Sequence, residues 1–278
     1  PMVETLRHRL IRKWGYNEKS AQRDVIHFDV QKTGELIYGK WSDESKKKYG
    51  TTNNLQVQNR GLQGVLEGQK IDLIIGGPPC QAYSIHGRAT DRNSMKDDYR
   101  NYLFESFVKV VNVFSPKVFV FENVPGILTA KPGGYNVTKR IYQAFREIGY
   151  QILNPEELSR AIYNTVDYGV PQERRRVIII GIRENSTLKL EDIYDAIRAE
   201  KVQNRALTVR DAIGEMPIIL PIKSPYKDGR ANVSHKVINP SSKYTQHTPR
   251  YNAPREIKIF KEWVENRMNL LPHNEKIE

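Results

Sequence analysis

Four short apolar runs punctuate the chain: "DVIHFDV" (24–30), "IDLIIGG" (71–77), "KVFVFEN" (117–123) and "RVIIIGI" (176–182). Each is rich in Val and Ile, and such continuous runs suit strands buried on both faces of a parallel sheet. Helical patterns lie between them. "NYLFESFVKVVNVF" (101–114) places Leu103, Phe107, Val110, Val111 and Phe114 along one stripe. "TKRIYQAFREIG" (138–149) does the same with Ile141, Phe145 and Ile148, and Gly149 suits the helix C-cap. The alternation predicts an α/β fold, a Rossmann-like doubly wound and mostly parallel sheet. In such a sheet ligands bind beyond the carboxyl ends of the strands.

Two stretches depart from this rhythm. Residues 41–70 are polar and read as an insertion on the sheet. From about residue 205 the composition changes, which divides the chain into a main domain over 1–205 and the start of a second, loop-rich one over 206–278. Residues 223–258 hold eight Lys/Arg against two Asp/Glu, a surplus of +6, with Tyr226, Tyr244 and Tyr251 interleaved. Pro225, Pro240, Pro249 and Pro254 are expected to break regular structure there. A last amphipathic pattern places Ile257, Phe260, Val264, Met268 and Leu271 on one stripe. At the other end, "ETLRHRLIRKWG" already reads as a helix in progress, as if the chain starts inside a domain.

Composition narrows the function classes. Hydrophobic residues make up 38% of the 278, enough to build a core. The net charge of +12 points to a polyanionic partner, most often nucleic acid, with a merely basic soluble protein as the bland alternative. No apolar run reaches the length needed to span a bilayer, so no membrane role is expected. One cysteine cannot form an internal disulfide, which leaves Cys80 buried or reactive in an intracellular, cytoplasmic protein. One Cys and scattered His give no metal-ligand spacing, so no metal is expected.

Candidate chemistry gathers at the ends of the predicted strands. "GGPPCQAYS" (76–84) directly follows a strand, which puts Cys80 where active sites form. Gly76 and Gly77 are expected to let the backbone turn, and Pro78 and Pro79 stiffen the turn and leave carbonyls free to accept from a ligand. A nucleophilic thiol needs such a fixed position; a lone cysteine is otherwise a small buried hydrophobe. "FENVPGI" (121–127) ends the next strand on Glu122, with Asn123 to hold it. "DYGVPQERRRVIIIG" (167–181) leads into a strand through Gln172, Arg174 and Arg176. With a period of two, both arginines face one way. Taken singly, each of these is also a solvated strand-end charge.

Together the three segments resemble the C5-cytosine DNA methyltransferase family: "GGPPCQAYS" its Pro-Cys-Gln motif, "FENVPG" its Glu-Asn-Val motif, "PQERRRV" its Gln-x-Arg-x-Arg motif. "YRNYLF" (99–104) is similar to its Arg-x-x-Leu-Phe segment, and "LTVRDAIGEMP" (207–217) to the link into its target-recognition domain. The resemblance implies S-adenosyl-L-methionine as cofactor and double-stranded DNA as partner, in a nucleoid-associated prokaryotic or phage modification enzyme. Cys80 would add to cytosine C6 on a flipped-out base. Glu122 would hold or protonate N3, Arg176 would hold O2, and Arg174 would support the loop or the thiolate. The Pro79 carbonyl would accept from the exocyclic amine, with Gln81, Ser84, Asn123 and Gln172 lining the substrate side and Tyr83 nearby. Asp29, Val30, Pro79 and Leu103 would meet the cofactor.

The family's opening Phe-x-Gly-x-Gly motif and its closing motifs are not found, which raises truncation or a second polypeptide supplying them. Two other functions stay open at this point: methylation of transfer RNA, and a catalytically dead DNA-binding relic.

Overall fold

The computed structural model describes residues 2–78, 103–202, 207–229 and 231–238, with Lys258, Ile259 and Lys261. It divides into two compact units, Pro1–Leu207 and Thr208–Glu278.

The first unit opens with helices. α1 (Met2–Trp14) is followed by α2 (Glu18–Asp24), whose N-terminus is capped by the Asn17 side chain accepting from the Ser20 N–H at 2.8 Å. α3 (Thr33–Tyr38), α4 (Asp43–Tyr49) and α5 (Leu55–Val65) come next. Residues 41–70, expected to form a polar insertion on the sheet, instead build a small core of their own around Trp41, Tyr49 and Val57. The polar residues serve the backbone: Ser42 caps α4, and Gln58 donates to Thr51 O (2.8 Å) and to Asn54 Oδ1 (2.6 Å). Pairing a buried amide in this way removes the cost of desolvating it.

The run 24–30 is not a strand. Its alternation is real, because Ile26 and Phe28 face inward, but they pack on the Trp41–Tyr49 cluster, with the Phe28 and Trp41 rings 4.2 Å apart. The backbone there bonds locally. Val25 O accepts from Arg7 Nη2 at 2.9 Å, and the Lys32 N–H closes a turn on Asp29 O at 3.0 Å.

The other three runs are strands: β1 (Leu73–Gly76), β2 (Val118–Asn123) and, after the short β3 (Tyr150–Gln151) and β4 (Ile162–Asn164), β5 (Arg175–Arg183). The two helical patterns appear as α6 (Leu103–Phe114) and α7 (Val137–Glu147). Gly149 takes a left-handed φ of 81° just past α7, as its C-cap position requires. The sheet is mixed. β1 and β2 are parallel, whereas β5 is antiparallel to β2 on one edge and to β3 and β4 on the other. The α/β class holds; the antiparallel pairing of β5 was not readable, because apolar runs reveal burial but not strand direction.

Register assigns the two faces. Phe119 and Phe121 of β2 pack against Phe107 of α6 and Phe145 of α7, with the Phe119 and Phe145 rings stacked at 4.0 Å. Leu73 and Ile75 of β1, in register with Val118 and Val120, lie on the opposite face and are 48% and 68% exposed. That open face also carries Glu122. α8 (Leu190–Ala199) packs beside β5, with Tyr194 fully buried.

The second unit contains α9 (Val209–Ile213) and a hairpin. Thr208 and Asp211 form a capping box on α9. β6 (Ile219–Asp228) pairs antiparallel with β7 (Ala231–Val237). Pro225, expected to break regular structure, lies within β6, where the register shifts between Pro221 and Tyr226. Such an irregularity is where a strand accommodates proline. Pro240, Pro249, Pro254 and the stripe at 257–271 lie outside the described residues, apart from fragments of the last.

Candidate active site

The site is assembled where β2 ends and β5 begins. In register, Glu122 lies opposite Ile178 and Asn123 opposite Val177. Arg176 precedes Val177, so it shares a face with Ile178 and Glu122. Its Nε meets Glu122 Oε1 at 2.6 Å, and its Nη1 donates to Arg175 O at 2.8 Å. The Glu122 side chain is 37% exposed and that of Arg176 21%. The carboxylate and guanidinium are thus held together while their outer edges stay open to a ligand.

The end of β1 closes in on this pair. Gly76 and Gly77 were expected to serve a tight turn, but neither has a left-handed φ. They are required for proximity. A Cβ on Gly76 would lie 2.4 Å from the Phe107 ring, and a Cβ on Gly77 would lie 2.8 Å from Glu122 Oε2. The segment leading to Cys80 therefore runs directly against the Glu122 carboxylate. Asn123 does not hold Glu122 as expected, because it points to the packed face of the sheet. There it is buried, donating from Nδ2 to Pro78 O at 3.3 Å while its Oδ1 accepts from the Val124 N–H at 2.9 Å. The Pro78 carbonyl, expected to be free for a ligand, is consequently occupied. Pro79, Cys80, Gln81, Tyr83 and Ser84 lie outside the described residues.

Gln172 and Arg174 sit in the loop that feeds β5, and two polar residues missed by the sequence reading close that loop. Thr165 donates its N–H to Arg174 O at 3.0 Å and its hydroxyl to Gln172 O; Asn164 Oδ1 accepts from the Arg174 N–H at 3.1 Å. An Asn-Thr pair at a strand end carries no signature that would have singled it out.

Of the residues expected to meet a cofactor, the half-buried Asp29 and the exposed Val30 lie at a turn between α2 and α3. Asp29 Oδ1 accepts from the Gln31 N–H at 3.0 Å, and Val30 O accepts from the Thr33 hydroxyl at 2.9 Å. A half-buried carboxylate beside an exposed apolar side chain suits the edge of an aromatic amine such as adenine. Leu103 is buried at the start of α6. Among the described residues, no group of three or more His, Cys, Asp or Glu is placed to hold a metal ion.

Comparison with known proteins bears on the same segments. A family model described as C-5 cytosine-specific DNA methylase matches residues 30–271. The chain belongs to this family. The Type II methyltransferase M.Bpa9945I of Bacillus paralicheniformis is 42% identical over 174 residues, 62% of this chain and 38% of that protein. M.DdeI of Desulfomicrobium norvegicum is 37% identical over 150 residues, 54% of this chain and 33% of that protein. The chain thus spans less than half the length of these curated relatives. Among solved structures, a DNA modification methyltransferase encoded within an Escherichia coli prophage shares 29% identity with a TM-score of 0.44, over 60% of this chain and 41% of that one. Among the described residues of this methylase-family chain, no helix is long and apolar enough to cross a membrane.

Proposed function

We propose that the chain carries the base-handling residues of a cytosine-C5 DNA methyltransferase from a prokaryotic or phage modification system. The observation that carries this reading is the Glu122–Arg176 pair, 2.6 Å apart at one end of the sheet, with the segment leading to Cys80 packed against the carboxylate. Cytosine C5 is too weak a nucleophile to accept a methyl group unaided. Addition of the Cys80 thiolate to C6 turns the ring into an enamine whose C5 can attack. Glu122 holds or protonates N3, drawing off the charge that builds as sulfur adds. The Arg176 guanidinium, already fixed by β5, holds O2 and neutralises charge there. Arg174 supports the approach of the loop or the thiolate. Because C6 is stacked within a duplex, the base is flipped out to reach Cys80.

Asp29 and Val30 would hold the adenine end of S-adenosyl-L-methionine, with Pro79 and Leu103 alongside. When bound, the cofactor supplies an electrophilic methyl group on a sulfonium. After C5 is methylated, loss of the C5 proton returns its electrons to re-form the C5–C6 double bond, and Cys80 Sγ leaves as thiolate.

Duplex DNA carrying 5-fluorocytosine tests the reading, because fluorine cannot leave C5 as the proton does, and the adduct accumulates. Mass spectrometry is expected to find DNA on Cys80 in the presence of the cofactor, and none in Cys80→Ser. No adduct in any sequence context, with DNA still bound, would refute the methyl-transfer reading, and an adduct on RNA alone would move the substrate.

The surplus of basic residues over 223–258 also belongs to this reading as a phosphate-contacting segment. If six phosphates are neutralised, affinity for duplex DNA should drop about a thousandfold between about 50 and 200 mM salt. A flat salt titration by fluorescence anisotropy would remove that role.

A further inference from the structure

β5 places Arg176, and its outer edge is only partly covered by strands. β4 pairs with residues 175–177 and β3 with residues 182–183. Between them the Tyr194 hydroxyl donates to Ile178 O at 3.1 Å and accepts from the Ile180 N–H at 3.0 Å. A carbonyl at one residue and an N–H two residues on are what one residue of a parallel neighbouring strand would engage. The fully buried phenol of α8 therefore stands in for a missing strand in the ladder. Burial pushes its hydroxyl well above the ordinary tyrosine pKa, so it remains a donor at any physiological pH. Ile178 is the residue directly opposite Glu122, and Arg176 is two positions away on the same face.

We propose that Tyr194 is a positioning residue: by completing the β5 ladder at Ile178 and Ile180 it fixes where the Arg176 guanidinium meets the Glu122 carboxylate. This rests on the reading of that pair as the base-holding groups. Its hydroxyl bonds the β5 backbone, and its effect passes through that backbone. A displacement of about 1 Å at such a pair can cost on the order of a hundredfold in rate.

Tyr150 provides the comparison. It too is buried, its hydroxyl donates to Pro116 O at 2.6 Å, and it lies on β3 at the far end of β5, opposite Arg183. Removing either hydroxyl deletes one buried phenol group, but only Tyr194 touches β5 beside the pair.

The test follows the Arg176 side-chain Nε–H resonance in the isotope-labelled chain. Tyr194→Phe is expected to shift or broaden that resonance and to speed exchange of the Ile180 amide, while Tyr150→Phe leaves both in place. In the 5-fluorocytosine assay, Tyr194→Phe should slow adduct formation at saturating DNA by about tenfold with DNA affinity unchanged. An unmoved Arg176 resonance in folded Tyr194→Phe overturns the proposal, as does an equal shift in Tyr150→Phe. If Tyr194→Phe fails to fold, 3-fluorotyrosine at position 194, which keeps the shape and alters the donor, must move the resonance or the proposal falls. Because the resonance is read without substrate, a wild-type chain that forms no adduct would sink the methyl-transfer reading separately.

Discussion

Gly77→Ala is expected to leave the chain folded and to slow adduct formation at Cys80 by about a hundredfold. The backbone at Gly77 is not in the left-handed region, so alanine adopts it without strain. Its methyl group would, however, arrive 2.8 Å from Glu122 Oε2. The carboxylate ends a flexible side chain with its outer side open, so it can swing away at little cost to stability. The move takes it off Arg176 and away from where the proposed reading puts cytosine N3. Stability and activity therefore separate at this position, which thermal melting together with the 5-fluorocytosine trap will show. Wild-type adduct rates in Gly77→Ala would mean that the close approach has no catalytic role. Gly76→Ala is the contrast: its methyl group would meet the Phe107 ring at 2.4 Å, inside the packed core, and the fold itself suffers.

Gly61→Ala should be the most damaging single methyl group in the helical half of the first unit, costing on the order of 4 kcal/mol. Gly61 interrupts α5 with φ 64°, a conformation that alanine resists. An added Cβ would lie 2.1 Å from Ile37 O and 2.4 Å from the Gly39 nitrogen. Gly39 is its mirror: at φ 76°, its Cβ would lie 2.4 Å from the Gly61 nitrogen. Backbone meets backbone here, and no side chain can rotate out of the way. The tilted ring contact of Phe28 with Trp41 is tied to this crossing, because the Trp41 backbone N–H donates to Gln58 O within α5. Urea unfolding followed by tryptophan emission will report the loss, and an unchanged midpoint would show that the crossing can relax.

The parts of the molecule that were legible in the sequence were those governed by local pattern. Three of four apolar runs are strands, and the amphipathic patterns at 101–114 and 138–149 are helices, since period and burial are set within a few residues. The site motifs likewise announce Glu122 and Arg176, and the structure brings these two together. What could not be read depends on partners far along the chain. Ile26 and Phe28 alternate as a strand would, yet their neighbours are Trp41 and Tyr49. Gly76 and Gly77 read as a turn, although their purpose is the nearness of Phe107 and Glu122. Asn123 was expected beside the carboxylate, but the pleat sends it to the opposite face. Tyr194 resembles any core aromatic until its hydroxyl is seen in the β5 ladder.

Among the described residues, β1 is paired on one edge only, and Leu73 and Ile75 stand exposed beside that edge. An unpaired strand with apolar side chains is a template for another chain. The net charge of +12 holds copies apart at low ionic strength, but that repulsion is screened beyond about 10 Å in 0.1 M salt. Salt that would weaken the phosphate contacts of the proposed reading thus also weakens the repulsion between copies. Handling conditions for this chain must balance the two: enough ions to release polyanions, and few enough to keep the open strands of neighbouring copies from meeting.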